Sequence, residues 1–281
     1  MRELDVARIT EAVKDLSIRT NIYLPDDVKE ALRSSLEKEE SPLGKEILQV
    51  ILDNHDIAES ERMPICQDTG VAIIFLEVGQ EVHLTGGSLE DAVNEGVRQG
   101  YKEGHLRKSM VADPVLKRKN TGDNTPAIIY TRIVPGDKVK IVFAPKGGGA
   151  ENMSEVRMMT AADGIEGVKD FVVDRVSRSG GNPCPPIVVG IGLGGSFERC
   201  AMLAKEALMR TIGEPNPDPD FAEVEKELLR RINNLGIGPQ GLGGRTTALA
   251  VHIKTVPCHI ASMPVAVNIQ CHVSRHGETI I

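Results

Sequence analysis

The sequence predicts an α/β fold: a mixed β-sheet with packed helices and a helical N-terminal segment. Three observations lead there. Helical periodicities alternate with short strand-like runs along the chain. Those runs are joined both by a tight polar turn and by helix-length crossovers, the connections of antiparallel and parallel pairs respectively. The chain has 281 residues, of which 41% are hydrophobic, enough to bury a sizeable core. One domain over residues 1–281 is expected, with 1–58 as a helical packing segment.

From Glu3 to about Asn54 the pattern is helical: Val6, Ile9, Val13 and Leu16 recur at three- and four-residue spacing, and Pro25 opens a second stretch through Leu32, Leu36, Ile47 and Ile51. After Pro64 the character changes. Val71 to Val78 reads as a strand, Gly86-Gly87 as a turn, and Ser88 as the N-cap of a helix reaching about Gly104. Ala127–Val134 and Lys138–Ala144 flank Pro135-Gly136-Asp137, which predicts a hairpin. A helix follows from about Gly164 to Ser177, then a strand over Ile187–Ile191, then a Gly-rich turn into a helix from Ser196 to about Ile212. EPNPDPD, residues 214 to 220, breaks that helix, because proline supplies no N–H and restricts the residue before it. A helix resumes through Val224, Leu228 and Leu229, and strands over Thr246–Val256 and Val265–Ile269 finish the chain.

Composition excludes several functions. With 33 basic and 40 acidic side chains the net charge is −7, which disfavours nucleic-acid binding through counterion release. Aromatics are 3%, with no Trp, so base-stacking platforms are not expected and the core is aliphatic. No apolar run is long enough to span a bilayer, and the charged N-terminus lacks the apolar region of a signal peptide. Five cysteines without a CxxC pair do not form a disulfide framework and point to a reducing, cytoplasmic setting.

Five segments are dense in Gly, Pro and functional side chains: PICQDTG (64 to 70), LRKSMVADP (106 to 114) with NTGDNTP (120 to 126), PKGGGAEN (145 to 152), NPCPPIVVGIGLGGS (182 to 196), and PCHIASMPVAVNIQCHVSRH (257 to 276). Such loops present backbone N–H groups to a ligand while proline stiffens them. Cys66, Cys184 and Cys271 each sit on a separate loop of this kind, which suits a metal cluster better than a zinc ribbon with its close ligand pairs; inert structural thiols are the competing reading. Cys200 lies beside Ala201 and Met202 in a helix and reads as a small buried hydrophobe, while Cys258 is ambiguous between Pro257 and His259. GIGLGGS competes as a dinucleotide loop, but no second strand with a terminal acidic residue follows its helix. KGGGAEN is either a flexible turn or a carboxylate nest beside Lys146. Arg107 is the guanidinium best placed to clamp a carboxylate, against the alternative of a solvated basic face.

CQDTG, LRKS with DP and NTGDNTP, KGGGAEN, NPCPP with GIGLGG, and QCHVSRH occur in one order from about residue 60 to the C-terminus. In this the sequence resembles the iron-sulfur hydro-lyases that comprise class I fumarase and L-tartrate dehydratase, specifically the α subunit of the two-chain form. The resemblance implies that Cys66, Cys184 and Cys271 hold a 4Fe-4S cluster with one iron free of protein ligands. It places Gln67 and Asp68 beside the substrate, with Asp68 as a proton carrier. It makes Arg107 a carboxylate clamp, the Gly148-Gly149 backbone a second carboxylate contact, and His259 a hydrogen-bonding group. It further implies a separate β subunit that completes the site, an oligomer such as two α and two β chains, and a small dicarboxylate substrate. The expected reaction is the interconversion of fumarate and (S)-malate, a tricarboxylic acid cycle step. Dehydration of L-tartrate to oxaloacetate and a non-catalytic cluster protein are the alternatives.

Overall fold

The computed structural model describes all 281 residues. In chain order the elements are β1 (Arg2–Asp5), α1 (Ala7–Ile22), α2 (Asp26–Lys38), α3 (Pro42–Glu61), β2 (Val71–Gly79), β3 (Val82–Thr85), α4 (Leu89–Glu103), β4 (Ile128–Val134), β5 (Val139–Lys146), the single turn α5 (Gly148–Glu151), β6 (Glu155–Met159), α6 (Gly164–Ser179), β7 (Ile187–Gly194), α7 (Phe197–Ala207), α8 (Pro219–Asn233), β8 (Ala248–Val256), β9 (Met263–Gln270) and β10 (Gly277–Ile280). The fold is mixed α/β, as the periodicities imply. No helix is long and apolar enough to cross a membrane. The chain divides into two compact units: Met1–Pro25 with His55–Gly148 and Arg275–Ile281, and Asp26–Asn54 with Gly149–Ser274.

Unit 1 carries a four-stranded sheet in the order β10-β5-β2-β4 and a two-stranded parallel pair, β1 with β3. The first strand was expected to be helix; residues 2 to 5 instead pair with Val82–Thr85, with only Leu4 buried. Ser88 caps α4 as its type and position suggest, accepting the Asp91 N–H at 3.4 Å. The hairpin expected of β4 and β5 does not form. Both strands pair with β2, which runs parallel to β4 and antiparallel to β5. The burial pattern explains the order: β2 and β5 are largely buried, whereas β4 is mostly accessible and takes the edge. The Pro135–Lys138 connection must then cross the end of β2, and it does so over Gly79, where a Cβ would lie 2.4 Å from the Gly136 carbonyl oxygen. Aliphatic side chains of α1, α4, β2 and β5 make the core, with Phe143 and Tyr101 its largest fully buried members.

Unit 2 holds the sheet β6-β9-β7-β8, with β7 parallel to β8 and antiparallel to β9. Side chains alternate across β7. Ile187, Val189 and Ile191 join the core formed with α6 and α8, and the other face meets α7. Gly190 and Gly192 lie on that second face, where a Cβ would stand 2.1 Å from the Ala204 carbonyl oxygen and 2.0 Å from that of Cys200. These two glycines of GIGLGGS therefore let a helix lie directly on a strand. Cys200 is fully buried there, its Sγ 3.2 Å from the Phe197 carbonyl oxygen, and burial pushes its thiol up. It is the small hydrophobe its helical context suggests.

Candidate active site

In unit 1 the pairing register gathers the motif loops at one end of the sheet. Val71, the first residue of β2, lies opposite Lys146, the last of β5, and Gly277 at the start of β10 lies opposite Phe143. β4 enters at the same end, with Ile128 beside Ile73. The CQDTG turn, the end of NTGDNTP, the KGGG segment and the end of the VSRH run thus meet because the strands they flank are neighbours.

Within the CQDTG turn the Asp68 N–H donates to Cys66 Sγ at 3.4 Å, and that sulfur lies 3.5 Å from Gln67 Oε1. The Asp68 carboxylate is fixed at both oxygens: Oδ1 accepts the Gly70 N–H at 3.1 Å and Oδ2 the Gly148 N–H at 2.8 Å. The carboxylate held by the KGGG segment is therefore the protein's own, and in this conformation the Gly148 N–H is not free for a substrate. Gly149 falls in the other unit and is exposed. Arg107 is also exposed; its backbone N–H donates to Thr69 Oγ1 at 2.9 Å, while its guanidinium makes no ion pair in the chain and is free to reach a ligand.

Sequence reasoning missed the residues that hold this turn. Tyr101, from α4, is fully buried, and its one hydroxyl proton is shared between the carbonyls of Thr69 at 2.9 Å and Gly70 at 3.0 Å. Asn124, also fully buried and at φ +63°, donates to the Gly70 carbonyl at 3.1 Å and accepts the Ser109 N–H at 2.7 Å. It ties NTGDNTP to both CQDTG and LRKS. Thr69 Oγ1 donates in turn to the Arg107 carbonyl at 3.1 Å. Arg275, at 2% exposure, donates through Nη2 to the Asp68 carbonyl. The available signal was that Asn124 and Arg275 lie inside the recognised motifs; nothing local marks Tyr101.

Unit 2 brings two cysteines together by the same logic. Cys184 precedes β7 and Cys271 follows β9, and Val188 lies opposite Gln270. The His272 N–H donates to the Cys184 carbonyl at 3.3 Å, joining the loops. Cys184 is exposed at φ +54°, and Cys271 is half-buried. His259 is not with them. It lies on the exposed loop between β8 and β9, at the end of the sheet where Gly194 pairs with Val256. The eight residues of β7 separate the two ends, about 25 Å at roughly 3.3 Å per residue. Cys258 shares that far loop, with its Sγ 3.2 Å from the Ser262 carbonyl oxygen.

The donor chemistry fits the cluster that the motifs imply. Cys66, Cys184 and Cys271 all lie outside any disulfide and have at least partial access. The Cys66 sulfur already accepts a backbone N–H, the interaction that tunes cluster thiolates. Neither unit alone gathers three His, Cys, Asp or Glu side chains into a metal-binding group. Unit 1 offers one of the three thiols and unit 2 the other two.

A family description, fumarate hydratase (Fumerase), matches residues 10–280. The chain belongs to the fumarate hydratase family. It is thus an enzyme chain of hydro-lyase type. Among individual proteins it is similar to one of Methanocaldococcus jannaschii named "Putative L(+)-tartrate dehydratase subunit alpha", 44% identical over 275 residues and covering 96% of each chain. It is also similar to the L(+)-tartrate dehydratase subunit alpha of Escherichia coli, 34% identical over 278 residues, 98% of this chain and 91% of that protein. The protein of the same name from Shigella sonnei shows the same identity and coverage.

Proposed function

We propose that this chain is the α subunit of an iron-sulfur hydro-lyase that interconverts fumarate and (S)-malate. The observation that carries the reading is the Cys66–Gly70 turn, where a carboxylate is locked by two backbone N–H groups two residues away from a half-buried thiol that accepts a third. Cys66, Cys184 and Cys271 would hold the 4Fe-4S cluster. When bound, the cluster supplies a Lewis-acidic iron without a protein ligand, which polarises the hydroxyl that leaves as water.

The chain's own residues supply a base and two substrate contacts. Removing a proton from the carbon next to a carboxylate needs a positioned base, and Asp68 is a carboxylate fixed in direction before substrate arrives. Malate becomes fumarate when Asp68 Oδ takes the carbon-bound proton, the C–H electron pair forms the double bond as hydroxide departs from the neighbouring carbon, and that proton returns to the hydroxide to make water; hydration of fumarate is the reverse. Gln67 is exposed beside Cys66 and can donate to a substrate oxygen. Arg107 clamps a carboxylate in bidentate fashion and offsets the charge that develops on it.

The partner completes the site. The matched relatives carry the name subunit alpha, which supports a separate β chain. Val115 and Leu116, 76% and 87% exposed, stand on a turn held by Asp113, whose carboxylate accepts the N–H groups of Val115, Leu116 and Lys117. An apolar tip of this kind suits burial against such a partner. Within unit 2, His259 meets the Cys184 and Cys271 end only if a second copy of the chain supplies it, which an oligomer with two α subunits permits. Five cysteines without a disulfide agree with a cytoplasmic setting.

L-Tartrate dehydration is the second reading, favoured by the names of the relatives. Both substrates are four-carbon 2-hydroxy dicarboxylates, and the residues assigned here recognise what they share. Steady-state assays of the anaerobically reconstituted αβ enzyme decide between them. Hydration of fumarate and dehydration of (S)-malate are expected; turnover of tartrate with none of malate would replace the first reading by the second.

A further inference from the structure

We propose that Arg275 is a positioning residue for Asp68, setting the direction of that carboxylate by holding its main chain from behind. The proposal rests on the reading of Asp68 as the proton carrier.

Arg275 sits two residues before β10, whose pairing with β5 fixes it at the motif end of the sheet. Its Nη2 donates to the Asp68 carbonyl oxygen, and its Nε and Nη1 donate to no acceptor in the chain. No carboxylate forms an ion pair with it, although it is 2% exposed. A tie to one carbonyl needs only a neutral donor. A buried guanidinium without a carboxylate is costly, so a purely structural role would favour its replacement.

Arg275 and Asp68 both bear on the buried Tyr101 hydroxyl. Burial pushes that phenol well above its usual value, the Arg275 charge opposes the shift, and the Asp68 charge adds to it. Both side chains therefore lie near the same buried hydroxyl, behind the turn that carries Asp68. Asp68 is gripped at every polar atom: its N–H by Cys66 Sγ, its carboxylate by Gly70 and Gly148, and its carbonyl by Arg275. Rotation of the Asp68–Thr69 peptide plane would swing the carboxylate, and the guanidinium blocks that rotation. A lysine ammonium on its flexible four-carbon stem holds that single carbonyl less firmly than the planar guanidinium does.

The test uses the reconstituted αβ holoenzyme with Arg275→Lys, Asp68→Asn and the double variant, plus the neutral Arg275→Gln, which buries no charge, should the Lys variant not fold. A misplacement of about 1 Å costs on the order of a hundredfold in rate, so R275K is expected to lower kcat by ten- to a hundredfold while KM stays within about threefold. In the D68N background the same change should cost little, because its effect passes through Asp68. Iron content and the cluster's EPR spectrum should match wild type, and amide hydrogen exchange over residues 67 to 70 should quicken at least about tenfold. Equal fold-losses from R275K with and without Asp68, or unchanged exchange in the turn, would overturn the proposal. If the wild-type enzyme turns over neither malate nor tartrate, the functional reading fails; the exchange arm still judges the hold on the turn.

Discussion

Replacing Tyr101 by Phe removes one oxygen from the centre of the site scaffold and nothing else. The ring is fully buried against the unit 1 core, so packing is retained. The lost hydroxyl served two backbone carbonyls, at 2.9 and 3.0 Å. Gly70 keeps a second donor, the Asn124 amide at 3.1 Å, so most of the cost falls on the Thr69 carbonyl. One buried acceptor left unsatisfied costs about 1–3 kcal/mol, which sets the expected loss at about 2 kcal/mol. Burial keeps the phenol protonated, so the loss should not change between pH 6 and 9 at roughly constant ionic strength. Urea denaturation followed by far-ultraviolet circular dichroism reads this as a lower midpoint with an unchanged slope. In the αβ enzyme the loosened turn should lower kcat more than it raises KM. A midpoint shift worth less than about 0.5 kcal/mol together with wild-type kcat would show that Tyr101 does not hold the turn.

Further outcomes follow from the same contacts. Cys184→Ala should abolish iron binding while Cys200→Ala retains it, measured as iron and acid-labile sulfide per αβ pair; equal losses would overturn the division between ligand and core cysteines. Gly192→Ala places a Cβ 2.0 Å from the Cys200 carbonyl oxygen and should destabilise unit 2 by about 1–3 kcal/mol, read as a lower Tm. If GIGLGGS were a nucleotide loop, the same variant would instead lose affinity for a nucleotide at unchanged Tm. Burial works against ionisation of Glu39, but the N–H groups of Arg245, Ser41 and Thr246 outweigh it and hold the carboxyl at about 2 against the usual 4.5. A depressed acid adds stability that is complete above the unfolded value and is lost as the pH falls from 4.5 to 2, here about 3 kcal/mol. Glu39→Gln should therefore be clearly less stable than wild type at pH 7 and nearly equal to it at pH 2, by urea titration at each pH.

Much of this architecture was legible in the sequence because local pattern decided it. Ser88 before an amphipathic run caps a helix, and Cys200 at helical spacing among small apolar residues is core. The hairpin failed because a short polar turn reports that the chain reverses, not which strand lies between its arms; the greater apolar content of β2 took the central place. The motifs marked Cys66, Asp68 and Arg107, but not Tyr101, which reaches the turn from a helix 31 residues away. His259 shows the converse. It stands near Cys271 in sequence, but β9 lies between them and carries them to opposite ends of a sheet.

On the proposed function, three thiols from separate loops hold a cluster which, with Asp68 and Arg107, performs hydration chemistry once a β chain is added. Mössbauer spectra of the iron-57-reconstituted αβ enzyme, with and without malate, test it most directly. One iron site is expected to change its parameters on adding malate while the other three stay unchanged, and that responsive site should be lost in Cys184→Ala. Four equivalent irons indifferent to malate, or a spectrum unaltered in Cys184→Ala, would contradict it.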